Sequence, residues 1–306
     1  MNSLRGEELK KVIEAASATG TMIPAFNIPY LPMAKVVAQT LEKHKTFGMM
    51  EVALLELVKF EAGSLAQIKE QYNQWANPRF VSLHLDHVPV IDEDDLIVDW
   101  EPVITEGVAL GFGSVMIDGS RLPLEGNIKA TSRVVEVAHS GGSLVEAELG
   151  AVLGHSAGPM PPYEELFASR TGFTDPDEAG EFVKRTGVDW LSVSIGSFHG
   201  PISGASKDKA KMPAKLDIEL LKEIRKATGI PIVLHGGSGV IQSYVDEAIA
   251  NGMVKVNIAA DIRRPYEQTL AQTGDVEKAR SAVEETMDHL ICDVYHLEGS
   301  ASRLIS

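Results

Sequence analysis

Eight short apolar runs, separated by longer amphipathic segments, constrain the fold more than any other feature of this sequence. They are Met22 to Phe26, Phe47 to Val52, Phe80 to Leu85, Ser114 to Ile117, Ser143 to Leu149, Trp190 to Ile195, Pro231 to Leu234 and Val254 to Ile258. The runs are apolar on both faces, as strands of a parallel sheet must be when helices cover them. Helical spacing of apolar residues recurs between them, in segments such as Pro32 to Lys43, Glu93 to Leu110, Ile128 to His139, Pro176 to Arg185, Ile218 to Ala227 and Ser243 to Asn251. Thr174-Asp175-Pro176 predicts a helix start, with a capping side chain and a proline in the first turn; Gly187 and Gly229 predict two helix ends. Strand followed by helix, repeated eight times, predicts an α/β chain folded as a single (β/α)8 TIM barrel.

A chain of 306 residues with 44% hydrophobic content can bury one large barrel core or two smaller ones. No composition shift or low-complexity tract marks a linker, so residues 1–306 are expected to form one barrel domain with a C-terminal helical extension. A doubly wound open sheet is the rival fold, but no glycine-rich dinucleotide turn follows the first strand. Two connections are long. Gly150 to Gly172, rich in Gly, Pro and Ser, is expected to be a mobile flap, and Gly196 to Lys215 forms a second long loop at the same end.

The 28 Lys and Arg residues stand against 43 Asp and Glu, a formal net charge of -15. That field argues against nucleic acid and anionic membranes as partners, although a local set of donors can still hold an anionic substrate. The single cysteine, Cys292, forms no intrachain disulfide and no thiolate cluster. The start, MNSLRGEELKKVIEAA, lacks the apolar core of a signal peptide, and no stretch approaches the roughly 18 apolar residues of a membrane span. A soluble, cytoplasmic protein is expected.

Barrel active sites lie at the carboxyl ends of the strands. Asp86 and His87 end the third predicted strand, Asp118 the fourth, Glu148 the fifth and His235 the seventh; Asn257 lies near the end of the eighth, and His199 follows the sixth by a short glycine-containing turn. One histidine at a strand end is ordinarily a satisfied polar group. Several imidazoles and carboxylates at one mouth are costly to bury, and a metal is the common remedy. Neutral imidazoles suit zinc, and three protein ligands leave a position for substrate. His84 shares a strand face with Asp86, which favours a supporting role. His44, His139, His155, His289 and His296 fall on expected surface or flap positions.

The segments VSLHLDH, GFGSVMIDGS, VEAELG, TDPDEAGEFVKRTGVDWLSVSIGSFHG, IPIVLHGGSG and VKVNIAAD resemble, in order, the signature blocks of the class II, zinc-dependent ketose-bisphosphate aldolases, from about Pro24 to Asp261. The resemblance implies a (β/α)8 barrel, a homodimer or homotetramer, and a small-molecule sugar or sugar phosphate as substrate. It implies Zn2+ held by His87, His199 and His235, allows a monovalent cation, and sets Asp118 and Glu148 near alternative metal positions. It makes Asp86 the acid/base at the carbon-4 hydroxyl, turns Gly200, Gly236 and Ser238 toward a phosphate, and sets Asn257 to steady the enediolate.

That chemistry asks for these residue types on its own terms. Cleaving a ketose between carbon-3 and carbon-4 leaves charge for a Lewis acid to stabilise, and the carbon-4 hydroxyl must lose its proton to a nearby base. The chain departs from the family where phosphate is bound. Ala53 stands at the position of a phosphate-binding serine, Pro201 and Ile202 follow His199-Gly200 where a lysine is common, and Ala260 replaces a threonine. A ketose with at most one strongly recognised phosphate, on carbon-1, is therefore expected. Two other classes compete. A metal-dependent barrel hydrolase would usually carry a His-x-His pair, which His84-Leu85-Asp86 is not; a non-catalytic sugar-phosphate-binding protein would show an eroded metal set.

Overall fold

The computed structural model describes residues 3–150, 162–197, 213–237 and 239–305. Its strands are β1 (Ile23–Asn27), β2 (Gly48–Ala53), β3 (Val81–Pro89), β4 (Ser114–Asp118), β5 (Leu144–Leu149), β6 (Trp190–Val193), β7 (Ile232–Leu234) and β8 (Met253–Ile258). They pair in parallel in sequence order, and β8 closes on β1 through Ala25 opposite Asn257. The barrel is closed, so none of these eight strands leaves an edge to pair with another chain.

The helices are α1 (Gly6–Thr19), α2 (Met33–Lys43), α3 (Leu54–Lys59), α4 (Leu65–Trp75), α5 (Trp100–Leu110), α6 (Leu124–Ser140), α7 (Tyr163–Ser169), α8 (Pro176–Thr186), α9 (Ile218–Thr228), α10 (Gln242–Ala250), α11 (Ala260–Thr273), α12 (Val276–His289) and α13 (Ala301–Leu304), with a π turn at Leu290–Val294. Asp175 caps α8 by accepting from the Asp177 and Glu178 amides, and Pro176 follows it. Gly187 and Gly229 end α8 and α9 with φ of 69°, a left-handed conformation that glycine adopts without strain. Among the described residues, no helix is long and apolar enough to cross a membrane.

Two local expectations give way. The helix expected from Glu93 begins only at Trp100, because the Asp92 carboxylate accepts from the Asp94 and Leu96 amides and Asp95 takes a φ of 63°. That side-chain turn competes directly with helix for the same backbone donors. Strand β3 also runs past Leu85 to Pro89, with an irregularity in register between Leu85 and Val88, so Asp86 and His87 lie inside the strand. Such irregularities re-aim side chains beside active sites.

The two ends of the barrel are built differently. Below the strand starts, Leu9, Val12, Ile13 and Ala16 of α1 join Ala301 and Leu304 of α13 in an apolar cluster with Ile23, Met49, Trp190, Val233 and Val254. The other end carries the polar strand termini. The expected flap falls largely on residues 151–161, and the second long loop on 198–212; both ranges lie outside the described residues.

Candidate active site

Side chains two residues apart on a strand share a face, so the barrel interior is built in layers. Asp86, Glu148 and Asn257 line the upper layer, with Asn27 at the end of β1 and His235 just past β7. Asn257 Nδ2 donates to Asp86 Oδ1 at 2.9 Å, and Asn27 Nδ2 donates to Asp86 Oδ2 at 3.1 Å. Both carboxylate oxygens are thus oriented by side-chain amides reaching across the barrel from β8 and β1. The Asn257 Oδ1 acceptor is buried with no hydrogen-bond partner among the described residues.

Next to Asp86, the rings of His87 and His235 lie 4.3 Å apart between centroids. His87 Nδ1 is 3.3 Å from Asp118 Oδ2, and Asp118 Oδ1 accepts from the Ser120 hydroxyl at 2.6 Å. His235 Nδ1 is 2.9 Å from Glu148 Oε2, and its Nε2 is 2.8 Å from Glu146 Oε1. Among the described residues, Asp86, His87 and His235 bring ligand atoms within 4.8 Å of one another, and so do His87, Asp118 and Glu148. Imidazoles and carboxylates so arranged are candidate metal ligands.

One layer lower, His84, expected in a supporting role, lies with Glu51, Glu146 and Lys255, which the strand-end reasoning missed; all four are fully buried. Lys255 Nζ donates to Glu146 Oε2 at 3.0 Å and lies 3.2 Å from Glu51 Oε2 and 3.8 Å from Asp86 Oδ1. His84 Nδ1 is 2.7 Å from the Ser114 hydroxyl, and Trp190 lies under both His84 and Lys255. Glu51, His84 and Asp86 also have ligand-like spacing, but the Lys255 ammonium already supplies their cation. The signal for this layer was present in the sequence: Glu146, His84 and Lys255 each precede a predicted site residue by two.

The electrostatics follow from this packing. Burial favours the neutral acid of Asp86, but His87, Lys255, His235 and His84 outweigh it and hold the carboxyl well below its usual range. Burial also opposes a charge on His235 and His87. Glu146 and Glu148 nevertheless raise His235 to about 10, and Asp86 with Asp118 raises His87 to about 9. Burial, reinforced by Lys255, drives His84 down to about 3. Burial and the nearby Asp86 push Glu51 well above the usual carboxylate value.

Among the remaining predicted residues, His199, Gly200 and Ser238 lie outside the described residues, as does His155. Gly236 follows His235 with a φ of 66°. The glycine turn does not run straight into α10. Gly239 accepts from the Ala214 amide and Ala214 accepts from the Ile241 amide, so the chain pairs with residue 214 before the helix begins at Gln242. Sequence reasoning also passed over Glu56, on the first turns of α3. Its Oε2 accepts from the Ala53 amide at 2.9 Å and from Asn27 Nδ2 at 3.4 Å, and burial raises it to about 8.

A closed barrel with imidazoles, carboxylates and amides converging at the carboxyl ends of its strands defines a (β/α)8-barrel enzyme. The chain belongs to the class-II fructose-bisphosphate aldolase family, which it matches over residues 7–303. It is accordingly a class II aldolase, a carbon–carbon lyase. A Bacillus subtilis relative is 30% identical over 293 residues, 91% of this chain and 94% of its own length. The fructose-bisphosphate aldolase of Geobacillus stearothermophilus is 32% identical over 255 residues, 82% of this chain and 79% of that one. The crystal structure of the YdjI aldolase from Escherichia coli is similar with a TM-score of 0.75 at 25% identity, over 98% of this chain and 100% of that one.

Proposed function

We propose that this chain uses Zn2+ to cleave a ketose reversibly between carbon-3 and carbon-4, giving a dihydroxyacetone or dihydroxyacetone phosphate fragment and an aldehyde. His87, His199 and His235 hold the ion, with Asp118 and Glu148 as an alternative position, and Asp86 is the acid/base. The observation that carries this reading is the Asp86 carboxylate, held by two amides beside the paired imidazoles of His87 and His235.

The donor set fits the ion. Imidazole nitrogens and carboxylate oxygens are its ordinary protein ligands, and the two rings lie close enough to share one. Ligation needs neutral imidazoles, so His87 and His235 give up protons when they bind a cation. When bound, zinc supplies Lewis-acid stabilisation of the negative charge left on the ketone fragment.

The remaining roles belong to the chain. Asp86 takes the proton of the carbon-4 hydroxyl in cleavage and returns it in condensation; Asn27 and Asn257 fix its orientation, and the Lys255 ammonium below favours its ionised form. Asn257 Oδ1, without a hydrogen-bond partner among the described residues, accepts from a substrate hydroxyl. Gly200, Gly236 and Ser238 receive a carbon-1 phosphate on backbone and hydroxyl donors, and a monovalent cation accompanies zinc. Residues 1–306 act as one barrel domain with its C-terminal helices as an extension, in a cytoplasmic homodimer or homotetramer without nucleic-acid or membrane partners. The test is elemental analysis with a cleavage assay: one zinc per chain and carbon–carbon cleavage are expected, and a zinc-loaded protein that cleaves no ketose overturns the reading.

A further inference from the structure

The candidate metal ligands and the amides on Asp86 come from opposite sectors of the mouth. His87, Asp118, Glu148 and His235 belong to β3, β4, β5 and the end of β7. Asn257 belongs to β8, Asn27 to β1, and Glu56 follows β2. A ketose with its carbonyl at the imidazoles and its carbon-4 hydroxyl at Asp86 directs carbon-5 and carbon-6 past Asp86, into the β8–β1–β2 sector. This orientation rests on the roles proposed above.

The N–H donors of Asn257, Asn27 and Ala53 in that sector are already committed. Asn27 Nδ2 bridges Asp86 and Glu56, and the Ala53 amide at the end of β2 donates to Glu56 Oε2. The chain therefore places its own carboxyl group, only 6% exposed, on two donors that an incoming anion would need. Farther out, the Arg263 guanidinium is engaged by both oxygens of Glu267 at 2.8 and 2.7 Å, and the Tyr30 hydroxyl donates to the same carboxylate at 2.7 Å. The Arg263 charge is thus neutralised within the chain. A phosphate entering here finds the Ala53 amide and Asn27 Nδ2 already occupied by a carboxyl group, whereas a hydroxyl can donate to Glu56 as readily as water does.

We propose that Glu56 is a specificity-determining residue: it makes the aldehyde-side subsite accept an uncharged, hydroxyl-bearing tail and reject a terminal phosphate. The discrimination has two parts. Oε2 occupies the Ala53 amide whether or not the acid is ionised, and the ionised form adds repulsion of the phosphate. With burial raising the group to about 8, both forms are accessible near neutral pH.

The experiment compares the zinc-loaded enzyme with Glu56→Gln and Glu56→Ala. The substrates are a ketohexose 1-phosphate and its 1,6-bisphosphate, each in fructo and tagato configuration. Glutamine keeps an acceptor for the Ala53 amide and removes the charge; alanine also frees the amide. The wild type is expected to favour the 1-phosphate. The ratio of kcat/KM should move at least 10-fold toward the bisphosphate in Glu56→Gln and further in Glu56→Ala, chiefly through a lower KM for the bisphosphate. Zinc content and Tm identify a variant that has merely lost its fold, in which case the Glu56→Gln result and the wild-type preference decide. A wild-type preference of 100-fold or more for the bisphosphate overturns the proposal, as does an unchanged ratio in folded Glu56→Gln. Failure of the underlying reading looks different: the wild type cleaves no ketose, or Asp86→Ala cleaves as well as the wild type.

Discussion

The floor and the mouth of this barrel are made from the same eight strands, yet they obey opposite rules. At the floor, Ile23, Met49, Val233 and Val254 meet the apolar faces of α1 and α13 and pack as barrel interiors ordinarily do. From the Glu51–Lys255 layer upward, the interior is ionic, although Glu51, Glu146, His84 and Lys255 are as fully buried as any leucine. Burying such groups is unfavourable unless each is paired, and the pairing here forms a network in which every carboxylate has a cation or an imidazole beside it. The difference teaches that the floor and the helix-covered outer face of the strands supply the apolar packing, which leaves the upper interior free for fixed charge.

That division can be broken at the top first. His87→Ala and His235→Ala are expected to abolish turnover and to lower zinc content, read by elemental analysis of the purified variants; full zinc in both would remove them from the ligand set. Asp86→Ala should retain zinc and lose roughly 100-fold or more in cleavage rate, the scale of general acid–base catalysis. Near-normal turnover in that variant would end the role given to Asp86.

The ionic layer itself is the next target. Lys255→Met leaves Glu51, Glu146 and Asp86 facing one another without their ammonium, a loss of about 3–5 kcal/mol in urea unfolding by analogy with other broken buried pairs. A variant as stable as the wild type would mean that the layer reorganises or takes up protons instead. At the floor, Leu9→Ala removes a fully buried side chain and should cost about 2–5 kcal/mol of stability. Its kcat/KM should be unchanged, and a floor variant that loses activity while still folded would argue against the separation of the two ends.

The smallest effect is a pH slope. Glu56 stands at about 8 in the folded chain against an ordinary value of 4.5, so between those limits the folded state binds more protons than the unfolded one. The contribution of Glu56 to stability is therefore greatest below about pH 4.5 and declines until about pH 8. Glu56→Gln should lose less Tm between pH 5 and pH 8 than the wild type does; equal losses would show that this carboxyl is not held as an acid.

Much of this division is written in the sequence, and the part that is not has a physical reason. The strands declare themselves because both faces are apolar, and Asp86, His87, Asp118 and Glu148 are conspicuous because they interrupt those runs at their ends. Glu51, Glu146 and Lys255 sit inside the runs, where apolar neighbours mask them; the two-residue offset to the site reveals Glu146 and Lys255 but not Glu51. Glu56 was hidden because its neighbours Leu54, Leu55 and Leu57 read as part of an apolar stretch, and its bonds to Ala53 and Asn27 depend on a turn and on a separate strand. The early start expected for α5 failed for a local reason, since one aspartate side chain captured the amides that a helix would have used.

A lysine enclosed in an aldolase barrel invites a different chemistry, in which its amine attacks a ketone and forms an imine. Lys255 is barred from it. Burial works against its charge, yet Glu146, Glu51 and Asp86 outweigh that and keep the ammonium above the usual lysine value, so the nitrogen has no lone pair to offer. It also lies beneath Asp86, with its side chain wholly enclosed and Trp190 close by, where no carbonyl carbon can reach it. Borohydride added with a ketose substrate should therefore leave Lys255 unalkylated by mass spectrometry: the positive charge that serves Asp86 is the same charge that withholds this amine as a nucleophile.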